Sequence, residues 1–233
     1  MEINYNEKRG ASRPNGAHFS LAEGERLHVL HPKSIVAFQG VPANREDRLL
    51  DLRGMYRKRK WIRADLTGPA HFLIALPTGY SLQTIPVDEG DDFLYDMRNV
   101  LFYSHGIEMK PVFLKIKNML ITRDIVRMKF TGSGTIGLLS HGPLHEMALE
   151  PTIPLYVDTG SLVAYPHNAE LDLSVYGNHL ASQHMNYQWK ITGRGRVLLQ
   201  SNKADRQVEE ARDDGFVRRL LREALPFGGV FIK

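Results

Sequence analysis

Residues 131–140 read TGSGTIGLLS, a Thr-Gly-x-Gly tetrapeptide that opens straight into an apolar run. The same device occurs twice more. Thr67-Gly68-Pro69-Ala70 precedes HFLIAL, and Thr192-Gly193-Arg194-Gly195 precedes RVLLQS. The first glycines of the three motifs lie 64 and then 61 residues apart. A second track keeps step with the first: Ile35-Val36-Ala37-Phe38, Val100-Leu101-Phe102-Tyr103 and Leu162-Val163-Ala164-Tyr165, whose aromatic residues are spaced by 65 and 62. Two tracks with matched spacing argue for one supersecondary unit used three times, each copy too small to bury its apolar face alone. The expected repeats cover approximately residues 17–78, 79–139 and 140–201 of a single domain spanning 1–233.

Within each repeat, runs of four to six β-branched and aromatic residues are bounded by Gly, Pro, Asn or Asp. Strands at that density predict an all-β sandwich or barrel rather than βαβ units. The recurring glycines are expected to mark bulges or close backbone approach where strands turn a corner. A phosphate-cradling role for them is disfavoured, because a dinucleotide loop opens a helix and strand follows here. Helix is expected in two places. A C-terminal amphipathic helix is predicted over approximately 203–225, with Phe216, Val217, Leu220, Leu221, Ala224 and Leu225 apolar and Pro226 ending it. A shorter one is expected near Asn44 to Arg53, where leucines sit among charges.

The chain has 233 residues, 42% of them hydrophobic, with no Cys. That length is ample for a core, and the lack of thiols excludes a disulfide framework, a cysteine nucleophile and cysteine-ligated metal. No apolar stretch is long enough to span a bilayer and the N-terminus is polar, so a soluble, cytoplasmic protein is expected. Thirty Lys and Arg against 26 Asp and Glu leave a net charge of +4. A basic run stands out: Arg53, Arg57, Lys58, Arg59 and Lys60. It is the candidate contact for nucleic acid, flanked by only two aromatics, Tyr56 and Trp61, for base stacking. The plainer account is a solvated turn between strands. For the C-terminal stretch, the face of Phe216, Val217, Leu220, Leu221 and Leu225 either packs on the β body or meets a partner or membrane surface.

Catalytic and metal patterns are not found. His28 and His31, His141 and His145, and His179 and His184 are spaced three, four and five apart. Gly142-Pro143 breaks the helical register that an i, i+4 zinc pair needs. No GxSxG elbow is present, and Asp91–Asp92 and Asp213–Asp214 sit in polar stretches unsuited to splitting carboxyl pKa values. No cofactor, metal or catalytic residue is assigned.

The segment from Phe130 to Tyr176, FTGSGTIGLLSHGPLHEMALEPTIPLYVDTGSLVAYPHNAELDLSVY, resembles the core signature of the Altered Inheritance of Mitochondria 24 family. Its carriers are the TGxG strand opening, the Leu-rich hairpin, the turn at Val157-Asp158-Thr159-Gly160 and the Leu-Val-Ala-aromatic strand; Pro226-Phe227-Gly228-Gly229 is similar to family endings. The resemblance implies a double-stranded β-helix type of fold, related to the tryptophan RNA-binding attenuation protein, and a non-enzymatic role in membrane-associated organisation. Pro69 and Ala70 depart from the pattern in the first repeat. The expected function is therefore a scaffold or interaction protein that self-associates, a trimer being the favoured oligomer, and binds a protein or membrane-associated partner. Nucleic-acid binding through Arg53 to Lys60 is the first alternative, and a cupin-like metal-dependent enzyme the second.

Overall fold

The computed structural model describes residues 1–5, 16–50, 61–113, 126–175 and 187–201. The basic run Arg53 to Lys60 and the whole C-terminal segment with Phe216, Val217, Leu220, Leu221 and Leu225 lie outside the described residues. Among the described residues nineteen strands follow in chain order. They are β1 (Glu2–Tyr5), β2 (Gly16–Leu21), β3 (Arg26–Val29), β4 (Ile35–Gln39), β5 (Arg45–Leu50) and β6 (Trp61–Thr67). Next come β7 (Ala70–Ala75), β8 (Tyr80–Val87), β9 (Phe93–Asp96), β10 (Val100–Ser104), β11 (Ile107–Phe113) and β12 (Val126–Gly132). The last are β13 (Gly134–His141), β14 (Leu144–Leu149), β15 (Leu155–Asp158), β16 (Leu162–Pro166), β17 (Glu170–Val175), β18 (Tyr187–Thr192) and β19 (Gly195–Gln200).

All pairings between these strands are antiparallel and build four sheets. The first runs β1-β2-β7-β4 and the second β5-β6-β3-β10-β13-β8. The third runs β11-β12-β9-β16-β19-β14, and the fourth β15-β18-β17. Each successive pair of sheets shares one core. Phe19, Phe72 and Ile74 of the first meet Leu27, Leu66, Leu101 and Phe102 of the second. Val100, Tyr103, Ile136 and Leu138 meet Tyr95, Met128, Phe130 and Val163 of the third. Leu162, Tyr165 and Val197 meet Val157, Trp189 and Ile191 of the fourth. Among the described residues no core cluster joins the first sheet to the fourth.

This layering explains why the aromatic strands are apolar throughout instead of alternating. β10 and β16 lie in sheets covered on both faces, so Leu101 and Phe102 enter one core while Val100 and Tyr103 enter the next. Ring geometry fixes the first core: Phe19 stacks on Phe72 at 4.9 Å between centroids and meets the edge of Phe102 at 5.3 Å.

Of the two roles expected for the Thr-Gly glycines, bulge or close backbone approach, the structure shows the second. The register shifts lie in the aromatic strands, between Ile35 and Ala37, Val100 and Phe102, and Leu162 and Ala164. The motif glycines occupy the tight turns β6–β7, β12–β13 and β18–β19 and serve close approach. A Cβ on Gly68 would lie 1.9 Å from the Ala22 carbonyl oxygen, and one on Gly132 would lie 2.3 Å from that of Gly106. The helix expected near Asn44 to Arg53 is also corrected, since Arg45–Leu50 is strand β5. It is laid residue for residue along β6, from Arg45 opposite Leu66 to Leu50 opposite Trp61. Ladder pairing decides the conformation of a stretch whose exposed side chains carry no apolar alternation.

Candidate functional site

A polar cluster sits where β3, β6 and β10 come together. Adjacent strands place His28 opposite Asp65 and opposite Tyr103. The His28 Nδ1 lies 2.7 Å from Asp65 Oδ1. Arg63 donates from Nη2 to Asp65 Oδ2 at 3.0 Å and from Nη1 to the Tyr103 hydroxyl at 2.7 Å. Arg48 adds a guanidinium 3.5 Å from Asp65 Oδ2, and His105 Nδ1 stands 3.5 Å from His28 Nε2. These residues line a cavity of about 760 Å3.

The electrostatics follow from burial against pairing. Burial pushes the Asp65 carboxyl up, but the hydrogen bonds from His28 and Arg63 outweigh it and hold it below the usual carboxylate range. For His28 burial wins over the neighbouring carboxylate and lowers the imidazole. His31, half-buried with its Nε2 out of solvent and unpaired among the described residues, is lowered by burial alone. Both histidines are therefore neutral at pH 7. With both oxygens committed, Asp65 acts as a fastener between strands, and its chemistry is that of a satisfied ion pair.

A pH dependence follows. A histidine whose folded value is depressed contributes stability that is fully present above its unfolded value, about 6.5, and is lost as pH falls. Urea midpoints measured at pH 7.5 and 5.5 should fall on acidification, and His31→Leu should flatten that fall. An unchanged slope in the variant would show that His31 does not supply it.

The second feature is the outer strand of the first sheet. Among the described residues β4 is hydrogen-bonded on one side only, to β7. Val36 is 58% exposed and Ala37 is exposed, whereas their register counterparts Leu101 and Val163 are 1% and 0% exposed and Phe102 and Ala164 are buried. Val41, just beyond the strand, is exposed as well. An apolar strand edge of this kind is a pairing surface.

Of the histidine pairs singled out by spacing, His179 and His184 lie outside the described residues, and His28 turns to Asp65 and His105 rather than to His31. Among the described residues no group of three or more His, Asp or Glu could hold a metal ion. Sequence reasoning missed Asp65 and Arg63, and the available signal was a charged residue alternating with core positions, as in Arg63-Ala64-Asp65-Leu66. Among the described residues no helix is long and apolar enough to cross a membrane.

No curated protein matches the chain. A protein of Streptococcus pyogenes solved by X-ray crystallography is similar in fold, with a TM-score of 0.64 at 14% identity over 96% of this chain and 100% of that one. The family described as Mitochondrial biogenesis AIM24 matches residues 62–202, from strand β6 through the last described strand. The match spans more than half of the 233 residues and takes in all three Thr-Gly turns, at 67–70, 131–134 and 192–195, so the chain belongs to the AIM24 family.

Proposed function

We propose that this protein is a non-enzymatic scaffold that self-associates and binds a protein or a membrane-associated partner. The observation that carries this reading is strand β4, which presents an apolar edge where the counterpart strands β10 and β16 are flanked on both sides. Native sheets pair, cover or blunt such edges, and β4 itself, IVAFQ, holds neither a charge nor a proline to blunt it. The Asp65 cluster supports the same reading from the other direction, since its carboxylate and cations are spent on one another. For the partner, the support is membership of a family described by mitochondrial biogenesis rather than by a reaction, together with the apolar face of Phe216, Val217, Leu220, Leu221 and Leu225 read from the sequence.

Sedimentation velocity tests the self-association. At tens of micromolar, an order-of-magnitude range in which stable interfaces persist, the chain should sediment as a species heavier than one 26.5 kDa copy. A single-copy species throughout that range would overturn the reading.

A further inference from the structure

The pairings inside the two six-stranded sheets specify what fits against β4. Each of these sheets joins two halves. In the second sheet the half β5-β6-β3 meets the half β10-β13-β8, and in the third β11-β12-β9 meets β16-β19-β14. The seam between halves has one register in both. Phe102, Tyr103 and Ser104 face Val29, His28 and Leu27, and Ala164, Tyr165 and Pro166 face Tyr95, Leu94 and Phe93. The first sheet carries a half of the β10 kind, β4-β7-β2, extended by β1. The fourth carries a half of the β3 kind, β15-β18-β17. Among the described residues no strand of the β10 kind stands beside β15.

The register shared by β4, β10 and β16 follows from their bulges, which set Ala37, Phe102 and Ala164 at one position. The register shared by β3, β9 and β15 follows from pairing to the strand before each Thr-Gly turn. His28 faces Asp65, Leu94 faces Lys129 and Tyr156 faces Lys190, each two residues before the threonine. Transferring the seam to β4 and β15 sets Ala37 opposite Val157, Phe38 opposite Tyr156 and Gln39 opposite Leu155. Carried two residues further, it sets Val41 opposite Ile153. These are two apolar side chains that stand 60% and 61% exposed on the single chain, and neither entered the alignment that brings them together. Tyr156 is 39% exposed, and among the described residues no strand lies along the free edge of β15.

We propose that β4 of one copy pairs antiparallel with β15 of a second copy in this register, so that the two half-sheets complete a sheet of the kind already present twice in the chain. This rests on the self-associating reading and names its contact. In the completed sheet Val36 takes the covered place that Leu101 and Val163 hold in theirs. The contact is heterologous: every copy offers one β4 and one β15, and the assembly is a ring if the rotation between copies closes and a filament if it does not.

The chain has no cysteine, so a disulfide can form only between introduced thiols. Full-length Gln39→Cys and Leu155→Cys are prepared separately, mixed under mild oxidation and read on a non-reducing gel. The mixture should give a linked pair several-fold more abundant than either variant alone or Gln39→Cys mixed with Val157→Cys. In parallel, Val36→Lys should reduce the oligomer to single copies in sedimentation while leaving the thermal midpoint of the single chain unchanged, because residue 36 is solvated there. Linkage of Gln39→Cys to itself would overturn the proposal by showing a like-to-like interface. So would a Gln39→Cys/Leu155→Cys chain that bridges internally as a monomer. An oligomer that survives Val36→Lys without the 39–155 link removes this contact and leaves self-association standing. A wild-type monomer removes both.

Discussion

Replacing Arg127 by Met is expected to destabilise the fold by about 3 kcal/mol, near the lower end of what breaking a buried ion pair costs. Arg127 is fully buried, and its Nη1 lies 3.1 Å from Oδ2 of Asp96, itself 7% exposed. The Arg98 guanidinium, reaching in from a half-exposed position, and its backbone N–H also bind that carboxylate, at 2.6 and 3.0 Å. Methionine keeps much of the aliphatic volume and leaves Asp96 to Arg98 alone, which is why the lower end applies. Asp96→Asn combined with Arg127→Met should lose less than the two single changes together, since each single change strips a buried charge of its partner and the double change removes both charges. The pH dependence separates this from a packing defect. Burial by itself would push the Asp96 carboxyl up, yet Arg127 and Arg98 outweigh it and hold it well below the carboxylate range. A depressed carboxyl contributes stability that is present above its unfolded value, about 4, and lost as pH falls below it. Without Arg127 the carboxyl rises toward its unfolded value while Arg98 still binds it, so the deficit of the variant should narrow as pH falls from about 5 to about 3. Urea midpoints across that interval measure it, and a constant deficit would refute the electrostatic account.

What the sequence exposes and what it hides follow from the same layering. The Thr-Gly turns are legible because backbone meets backbone there and no residue but glycine fits, as the Gly68 and Gly132 contacts show. The aromatic strands are legible because both faces are covered, which makes VLFY and LVAY continuous apolar runs. Strand β5 was not, since REDRLL is half-exposed or exposed wherever its side chains are described and carries neither a helical nor a strand stripe. Arg127 was hidden for a different reason. In VRMKF the charges alternate with core residues, a pattern that assigns Arg127 and Lys129 to solvent, and the partner that buries Arg127 comes from β9, some thirty residues away. The exposed edge is the subtlest case. IVAF is as apolar as VLFY and LVAY, so its residues predict a covered strand. Its exposure comes from its place at the edge of its sheet, where among the described residues no second half-sheet lies against it. That is a property of position along the array, and residue type does not record it.

Position along the array also decides how far a local defect travels. Trp189 has no exposed surface and fills the core between the third and fourth sheets with Val157, Leu171, Ile191 and Val197. Trp189→Ala should cost about 3–5 kcal/mol, the range for deleting a large aromatic from a core. Because each core is shared only by successive sheets, stability is expected to behave as a sum of neighbouring interfaces, and the loss should stay at one end. Hydrogen exchange on the variant should then show amides of β15, β17 and β18 losing protection by two or more orders of magnitude, as about 3 kcal/mol of local destabilisation requires, while those of β2 and β7 keep theirs. Uniform loss over all four sheets would mean that the three cores unfold as one cooperative unit. The local outcome carries a consequence for assembly, because a frayed fourth sheet no longer presents β15 as a strand. Trp189→Ala should therefore abolish the association that Val36→Lys abolishes, from the opposite end of the molecule and without touching the seam. A variant that loses protection at β15 yet still assembles would place the contact between copies somewhere other than that strand.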